Sequence, residues 1–311
     1  MSEITNSQHL DNKIKTLSIT LLTKRNGLSR DQFQSYWKDI HGPVCSRLTP
    51  LALYVQHHMK PMDTDLLPEM EDKLTSPTED TWDGFAEIGF FSNEDLVAWL
   101  PSTNVLFDDE QNVFQKTVAH YCDAHSFTLK DRSDALMTFG KPDGSFMYWL
   151  IRKRGDTPLT EAIDFLTGQV LQALVSSDEI SRVRYHILEE HDNTKPNPPA
   201  PNVEHFLAKE QQYQFVLELA LEDKLAMRQL YRKNNFHRLT SKIKHYFEAI
   251  HAHESDGRYT MVYDGNITLA GLRGATNAQL IKEVGAFNQT QDAVTKMMVS
   301  NHSSNAGGAG E

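Results

Sequence analysis

The sequence predicts an α+β fold made of two tandem ferredoxin-like units, each running β-α-β-β-α-β. Three observations predict it. Strand and helix signals alternate in that order twice along the 311 residues. Glu87 and Glu218 each stand early in a third strand, with Glu94-Asp95 and Glu222-Asp223 opening the helix that follows. The long loops 60–84 and 192–213 both join a second strand to a third, a displacement of roughly 125–130 residues. His120–Ala124 against His245–Ala249 extends the same register. Such a unit forms a four-stranded antiparallel sheet with helices on one face. Two bare sheet faces can then pack together and enclose a pocket within one chain.

In the first unit, 15–130, Ser18–Thr23 is an apolar strand followed by the turn Asn26-Gly27. Ser29 and Gln32 have capping-box spacing, so a helix runs from about Arg30 to Ile40. His41-Gly42-Pro43 stops it. Leu51–His58 alternates as a second strand, and Phe85–Phe91 is the third. Asn93 caps a helix over 94–100, Pro101 interrupts it, and helix resumes over 108–116. Val118–Phe127 closes the unit.

The second unit, 143–255, repeats the order. Phe146–Arg152 is a strand, and Thr157-Pro158 opens a helix with proline in its first turn. Val183–Glu189 and Phe215–Leu221 are strands, a helix starts near Glu222, and a strand surrounds Tyr246. Residues 256–290 form an added piece. Its hairpin joins Tyr259–Tyr263 to Ile267–Leu272 through Asp264-Gly265, and a helix covers 278–287. The Ser, Asn, Gly and Ala tail, 300–311, is expected to be disordered. The acidic stretch 70–80 reads as surface.

Composition bounds the function. A hydrophobic fraction of 39% supports a real core. A formal charge of −11 with no basic run argues against nucleic acid or an anionic membrane as partner. No apolar run reaches the roughly 18–20 residues of a membrane span, and the start has no signal-peptide pattern. The two cysteines, Cys45 and Cys122, make no framework. A soluble cytoplasmic protein is the expectation.

The residues Gly27-Leu28-Ser29, Phe33, Tyr36-Trp37 and His41-Gly42-Pro43 resemble the signature of the EthD-domain family. Tyr54–His58 resembles its second strand and Asp83–Glu87 its third. The resemblance covers about residues 15–128. The second unit is degenerate, with Thr167, Gly168 and Gln169 where Tyr, Trp and His would fall. Leu269–Gly274 resembles the end of bacterial members. The resemblance implies a dimeric α+β barrel, here intramolecular. It also implies membership beside ether-degrading oxygenase systems, dehydratases and decarboxylases of aromatic polyketides, isomerases, cofactor-free monooxygenases and heme enzymes. Fold alone does not choose among these.

Strand alternation selects candidates. On the second strand the apolar set Leu51, Leu53, Val55 and His57 should meet the helices, so Tyr54, Gln56 and His58 should face the barrel interior. Arg184 and His186 should face the same cavity from the second unit. Glu87 and Glu218 sit in apolar strands and must be paired, solvated or protonated. They are candidates for an acid or base, or for a structural ion pair with Arg184. His41 ends the first helix, where partial negative charge favours imidazolium, and is a candidate proton carrier. Trp37 or Tyr36 would roof the pocket. Periodicity leaves open whether His120 and His245, or Tyr121 and Tyr246, face it. No zinc spacing, Walker loop, dinucleotide fingerprint or serine elbow occurs.

The expected function is a cofactor-free acid–base enzyme, of lyase, isomerase or oxidoreductase type, on a small hydrophobic or aromatic carbonyl or enol compound. His41 or His58 would move the proton with Glu87 as partner. Tyr54, Gln56 and Arg184 would bind the oxygen, and Trp37, His186 and Glu218 would complete the pocket. Metal is not expected. Two other readings stand beside it: a ligand-sheltering accessory of an oxygenase system, and a heme barrel with His186, His237 or His245 as axial ligand. Fusion permits a monomer, and a homodimer is equally compatible.

Overall fold

The computed structural model describes residues 6–68, 81–122, 126–132, 139–142, 144–194 and 200–299. The stretch 70–80, the end of the His120–Ala124 segment and the 300–311 tail lie outside these. The strands are β1 Thr16–Lys24, β2 Leu53–Met62, β3 Gly84–Phe90, β4 Phe114–Tyr121, β5 Ser126–Asp131, β6 Phe139–Gly140, β7 Ser145–Lys153, β8 Ile180–Ile187, β9 Phe215–Leu221, β10 Phe247–Tyr263 and β11 Asn266–Ile267. The helices of the first half are α1 Asn6–Lys13, α2 Arg30–Tyr36, α3 Gly42–Ser46, α4 Asn93–Trp99 and α5 Asn104–Val113. Those of the second are α6 Leu159–Phe165, α7 Leu171–Val175, α8 Lys224–Tyr231 and α9 Asn234–Tyr246. The chain continues with α10 Leu269–Arg273, α11 Ala275–Glu283 and α12 Asp292–Val299.

The hydrogen-bonded order is β4-β1-β3-β2-β10-β7-β9-β8-β5. Each unit therefore has the 4-1-3-2 order of a ferredoxin-like sheet, and the two sheets join into a tandem dimeric α+β barrel. The joints explain the closure. The first half of β10 pairs with β7 and its second half with β2. The segment β4–β5 does the same, β4 with β1 and β5 with β8. Each unit's fourth strand thus changes partner midway and binds the other unit.

Both sheet faces are buried. Ile19, Leu21, Val55, Phe85 and Val118 of one sheet pack against Phe146, Tyr148, Leu150, Val216 and Ala220 of the other inside the barrel. Outside it, Phe33, Trp37, Leu106 and Val113 cover the first sheet. Ala162, Phe165, Leu171, Phe236 and Ile243 cover the second.

Several local expectations change. The helix before β4 ends at Val113, because Leu106, Glu110 and Val113 are buried at helical spacing. Tyr246 ends α9 instead of lying in a strand, since Phe236, Leu239 and Ile243 keep 234–246 helical. His245 and Tyr246 are therefore not the counterparts of His120 and Tyr121. Ile19 faces both Glu87 and His120, and Tyr148 faces both Glu218 and His253. The partner of His120 in the repeat is His253. β10 runs unbroken across residue 256, so Tyr259–Tyr263 is the end of a barrel strand. Asp264 and Gly265 turn with φ of 47° and 75°, as a tight hairpin requires. The returning arm stops after two residues, because Thr268 accepts a hydrogen bond from Gly271 N and starts α10.

Candidate active site

Between α2 and α3 a π-helical turn covers Trp37–His41, and Leu166–Val170 forms the same turn between α6 and α7. Such turns concentrate at functional sites. They align Trp37 with Leu166 and His41 with Val170, which corrects the sequence alignment to Thr167–Gln169. Only the first unit has an aromatic ring and an imidazole at these two positions, and a pocket lies under its helices.

The floor of that pocket is the helix-facing side of the first sheet: Ser18, Thr20, Tyr54, Ala86, Ile88, Thr117, Ala119 and Tyr121. Its walls are Trp37, His41, Cys45, Leu96, Trp99, Leu106, Phe107, Glu110 and Phe114. The empty space, open solvent at its mouth included, is about 670 Å³. No lysine or arginine lines it.

His41 is buried on this wall. Its Nδ1 lies 2.9 Å from Asp109 Oδ2. Tyr36 Oη donates to Asp109 Oδ1 at 2.6 Å and Asn112 Nδ2 donates to it at 3.1 Å. Burial pushes the Asp109 carboxyl up, but the bonds from His41, Tyr36 and Asn112 outweigh it and bring the pKa down to about 2. A carboxylate at that place fixes the proton of neutral His41 on Nδ1. Nε2 then carries the lone pair beside the pocket. A base oriented by a carboxylate is the arrangement that general acid–base catalysis needs. Sequence reading missed Asp109. Nothing local links the two positions, which stand 68 apart in the chain.

Glu110 is the next residue on α5 and points the other way. Burial pushes its carboxyl up to about 8, with Asp109 adding and a bond from Thr117 opposing. At neutral pH it is mostly a protonated acid.

The other predicted residues separate onto two faces. Tyr54, Gln56 and His58 lie on the helix side of β2, not inside the barrel. Gln56 Nε2 donates to Trp37 O at 2.9 Å and to Tyr54 Oη at 2.8 Å. His58 stacks under Trp37 at 4.2 Å between ring centroids. Tyr54 and Trp37 reach the pocket, while Gln56 and His58 tie the strand to α2. The apolar-face rule failed here because both faces of this sheet are buried.

Inside the barrel lie His57, Glu87, Arg184, His186 and Glu218. Arg184 bridges Glu87 Oε1 at 2.6 Å and Glu218 Oε1 at 2.9 Å, and also meets Asp11 at 3.0 Å. Arg182 joins Glu218 to Asp131. His57 Nε2 lies 3.3 Å from Glu87 Oε2, and His186 Nε2 lies 3.1 Å from Glu218 Oε1. Burial pushes both carboxyls up. The arginines and histidines outweigh it and hold both below the usual range. This is the buried ion pair with Arg184, and the sheet separates it from His41. His120 faces the barrel interior with Ile19, and Tyr121 faces the pocket.

His57, Glu87 and Glu218 bring ligand atoms within 4.8 Å of one another. They do not fit a metal ion, because the Arg184 guanidinium already stands between the two carboxylates and Arg182 adds a second fixed cation. The three histidines named for heme do not fit it either. His186 is held by Ser126 and Glu218. His237 and His245 are exposed on α9. The space under the second unit's helices is filled by Trp149, Phe165, Leu217, Phe236 and Phe247.

Residues 25–117 match the EthD domain. The first unit is an EthD domain. No curated protein matches the chain. A putative monooxygenase of Fusobacterium nucleatum subsp. nucleatum superposes with a TM-score of 0.48 at 8% identity, covering 82% of this chain and 96% of that one. An anthrone oxidase-like protein gives 0.48 at 10% identity over 81% and 94%. A chlorite dismutase variant of Candidatus Nitrospira defluvii gives 0.37 at 9% identity over 78% and 92%. Likenesses this distant transfer no reaction to the EthD domain. No helix among the described residues is long and apolar enough to cross a membrane.

Proposed function

We propose that the EthD-domain pocket is a cofactor-free acid–base site for a small hydrophobic or aromatic carbonyl or enol compound, with His41 as the base. The observation that carries this reading is the 2.9 Å contact between His41 Nδ1 and the Asp109 carboxylate beside an apolar pocket. His41 Nε2 takes a proton from a carbon next to the carbonyl. Asp109 stabilises the imidazolium, and Tyr36 and Asn112 hold Asp109 in place. Trp37, Trp99 and Phe114 supply apolar surface for a ring. Dehydration, isomerisation and cofactor-free oxygenation can all begin with such a proton transfer.

Hydrogen–deuterium exchange of the enolisable ketone 2-tetralone in D₂O, followed by NMR, tests this. The wild-type protein should accelerate exchange over buffer. His41→Ala should remove at least about 10²-fold of any such acceleration, the usual contribution of a positioned base. Asp109→Asn should also slow it, while His237→Ala, on the exposed face of α9, should not. Exchange at the buffer rate in the presence of bound ketone would leave a ligand-sheltering protein. Equal rates for wild type and His41→Ala would remove His41 from the mechanism.

A further inference from the structure

We propose that Glu110 is the pocket's hydrogen-bond donor to a ligand carbonyl oxygen, aimed by Thr117 and by His205 from the second unit. The assignment deepens the acid–base reading of the same pocket and rests on it. It makes the ligand a neutral carbonyl compound, not a carboxylate or a phosphate.

The direction of the hydrogen bonds carries the argument. Between β8 and β9, Glu204 pairs with β4: Thr117 N donates to Glu204 O and Glu204 N to Gln115 O, each at 2.9 Å. There Ala200 N–H lies 3.1 Å from His205 Nε2, closer than Ala200 O at 3.3 Å, so Nε2 is read as the acceptor. At the other nitrogen the carbonyl Thr117 O stands at 3.0 Å and can only accept, so the neutral imidazole is assigned its proton on Nδ1. Nδ1 also lies 3.1 Å from Thr117 Oγ1. A protonated Nδ1 cannot accept from the threonine, so the Thr117 hydroxyl turns its proton to Glu110 Oε2, 3.4 Å away. Oε2 is thereby an acceptor, and the acid keeps its own proton on Oε1. Oε1 has no hydrogen-bond partner among the described residues, and Glu110 lines the pocket. A ligand oxygen would complete it.

The charged and titratable groups around Glu110 agree. Asp109 on its own helix pushes its carboxyl up, and Glu110 in turn pushes up Cys45 on α3 and Tyr54 on β2. His41 shares the pocket wall and His205 stands behind Thr117. No lysine or arginine lines the pocket to hold an anionic ligand. An anion entering would meet Glu110 once that residue is ionised. The degenerate second unit keeps a part in the site through the β8–β9 loop, although its own pocket is filled.

Infrared difference spectroscopy of wild type against Glu110→Gln tests the proposal on the intact chain. The carbonyl stretch of a protonated carboxyl stands apart from carboxylate bands. It should be present at pH 7, absent in Glu110→Gln, and lost as pH rises through about 8. Saturating 2-tetralone should shift it, as 2-naphthoate should not. Thr117→Val should also shift it. Calorimetric binding of 2-tetralone should weaken about tenfold per pH unit above that titration in wild type and stay level in Glu110→Gln, whose amide still donates. The proposal is wrong if no protonated band exists at pH 7, if the ketone leaves the band unmoved, or if 2-naphthoate binds as well as the ketone. A shifted band in a protein that gives no proton exchange would sink the acid–base reading and keep this one. Exchange that depends on His41 with an unmoved band would do the reverse.

Discussion

Arg184→Met is expected to lower the free energy of unfolding by about 3–5 kcal/mol, the range for breaking a buried charge pair from one side. The size follows from what remains. Glu87, Glu218 and Asp11 would face one another with their shared cation gone, and both glutamates are fully buried. Like charges that close cannot all stay ionised, so the variant should take up protons near neutrality and regain stability as pH falls. The triple replacement Glu87→Gln, Arg184→Met, Glu218→Gln should recover part of the loss, because the two fully buried carboxylates go with their shared cation, while Asp11 and Arg182 each lose one partner. The exposed pair Lys209–Glu190 is the contrast, and Lys209→Ala should change nothing measurable. Urea denaturation of the set decides it. A loss of less than about 1 kcal/mol for Arg184→Met would mean that water or a moved side chain takes over the arginine's role.

That cluster also shows which parts of the molecule the sequence could reveal. Glu87 and Glu218 in apolar strands were legible as a matched pair, and Arg184 as a partner, because an isolated carboxylate in a strand demands a counter-charge. The order of strands was legible because turn and cap residues such as Ser29 and Asp264-Gly265 act locally. The facing of β2 was not. In this barrel the sheet is covered on both sides, so apolar contrast no longer marks inside from outside. Leu53 and Val55 go inward with His57, while Tyr54, Gln56 and His58 lie under α2. In hindsight the more polar face marks the side with the pocket. The His41–Asp109–Tyr36 set was half legible. His41 stood out by its place at a helix end and by its motif, whereas Asp109 is brought to it only by the packing of α5 on the π-helical turn. His205 was invisible, since its place depends on the pairing of neighbouring Glu204 with β4 of the other unit.

Acid should weaken the fold in two stages, and the first should begin well above the carboxylate range. His57, His58, His120 and His253 are all buried. Burial lowers each of their pKa values, to about 4 for His57 and His120. Unfolded histidine titrates near 6.5. Between that value and the folded one the unfolded chain binds more protons, so stability must fall as pH falls. Each such group removes up to about 1.4 kcal/mol per pH unit. Glu110 works the other way. Its folded value of about 8 lies above the unfolded one, so its contribution is complete below about 4.5 and is lost as pH rises through 8. Four groups against one decide the sign, and stability should drop from pH 6.5 downward. Below about 4.5 Glu110 gains nothing more, while Glu87, Glu218 and Asp109, all held below their usual range, begin to lose what they contribute. The urea midpoint should therefore fall between pH 7 and 5, then more steeply below 4.5. His120→Gln should flatten the first stage and leave the second. A midpoint that is level from pH 7 to 5 would show that these histidines reach solvent in the folded protein, and would put the dry barrel interior itself in error.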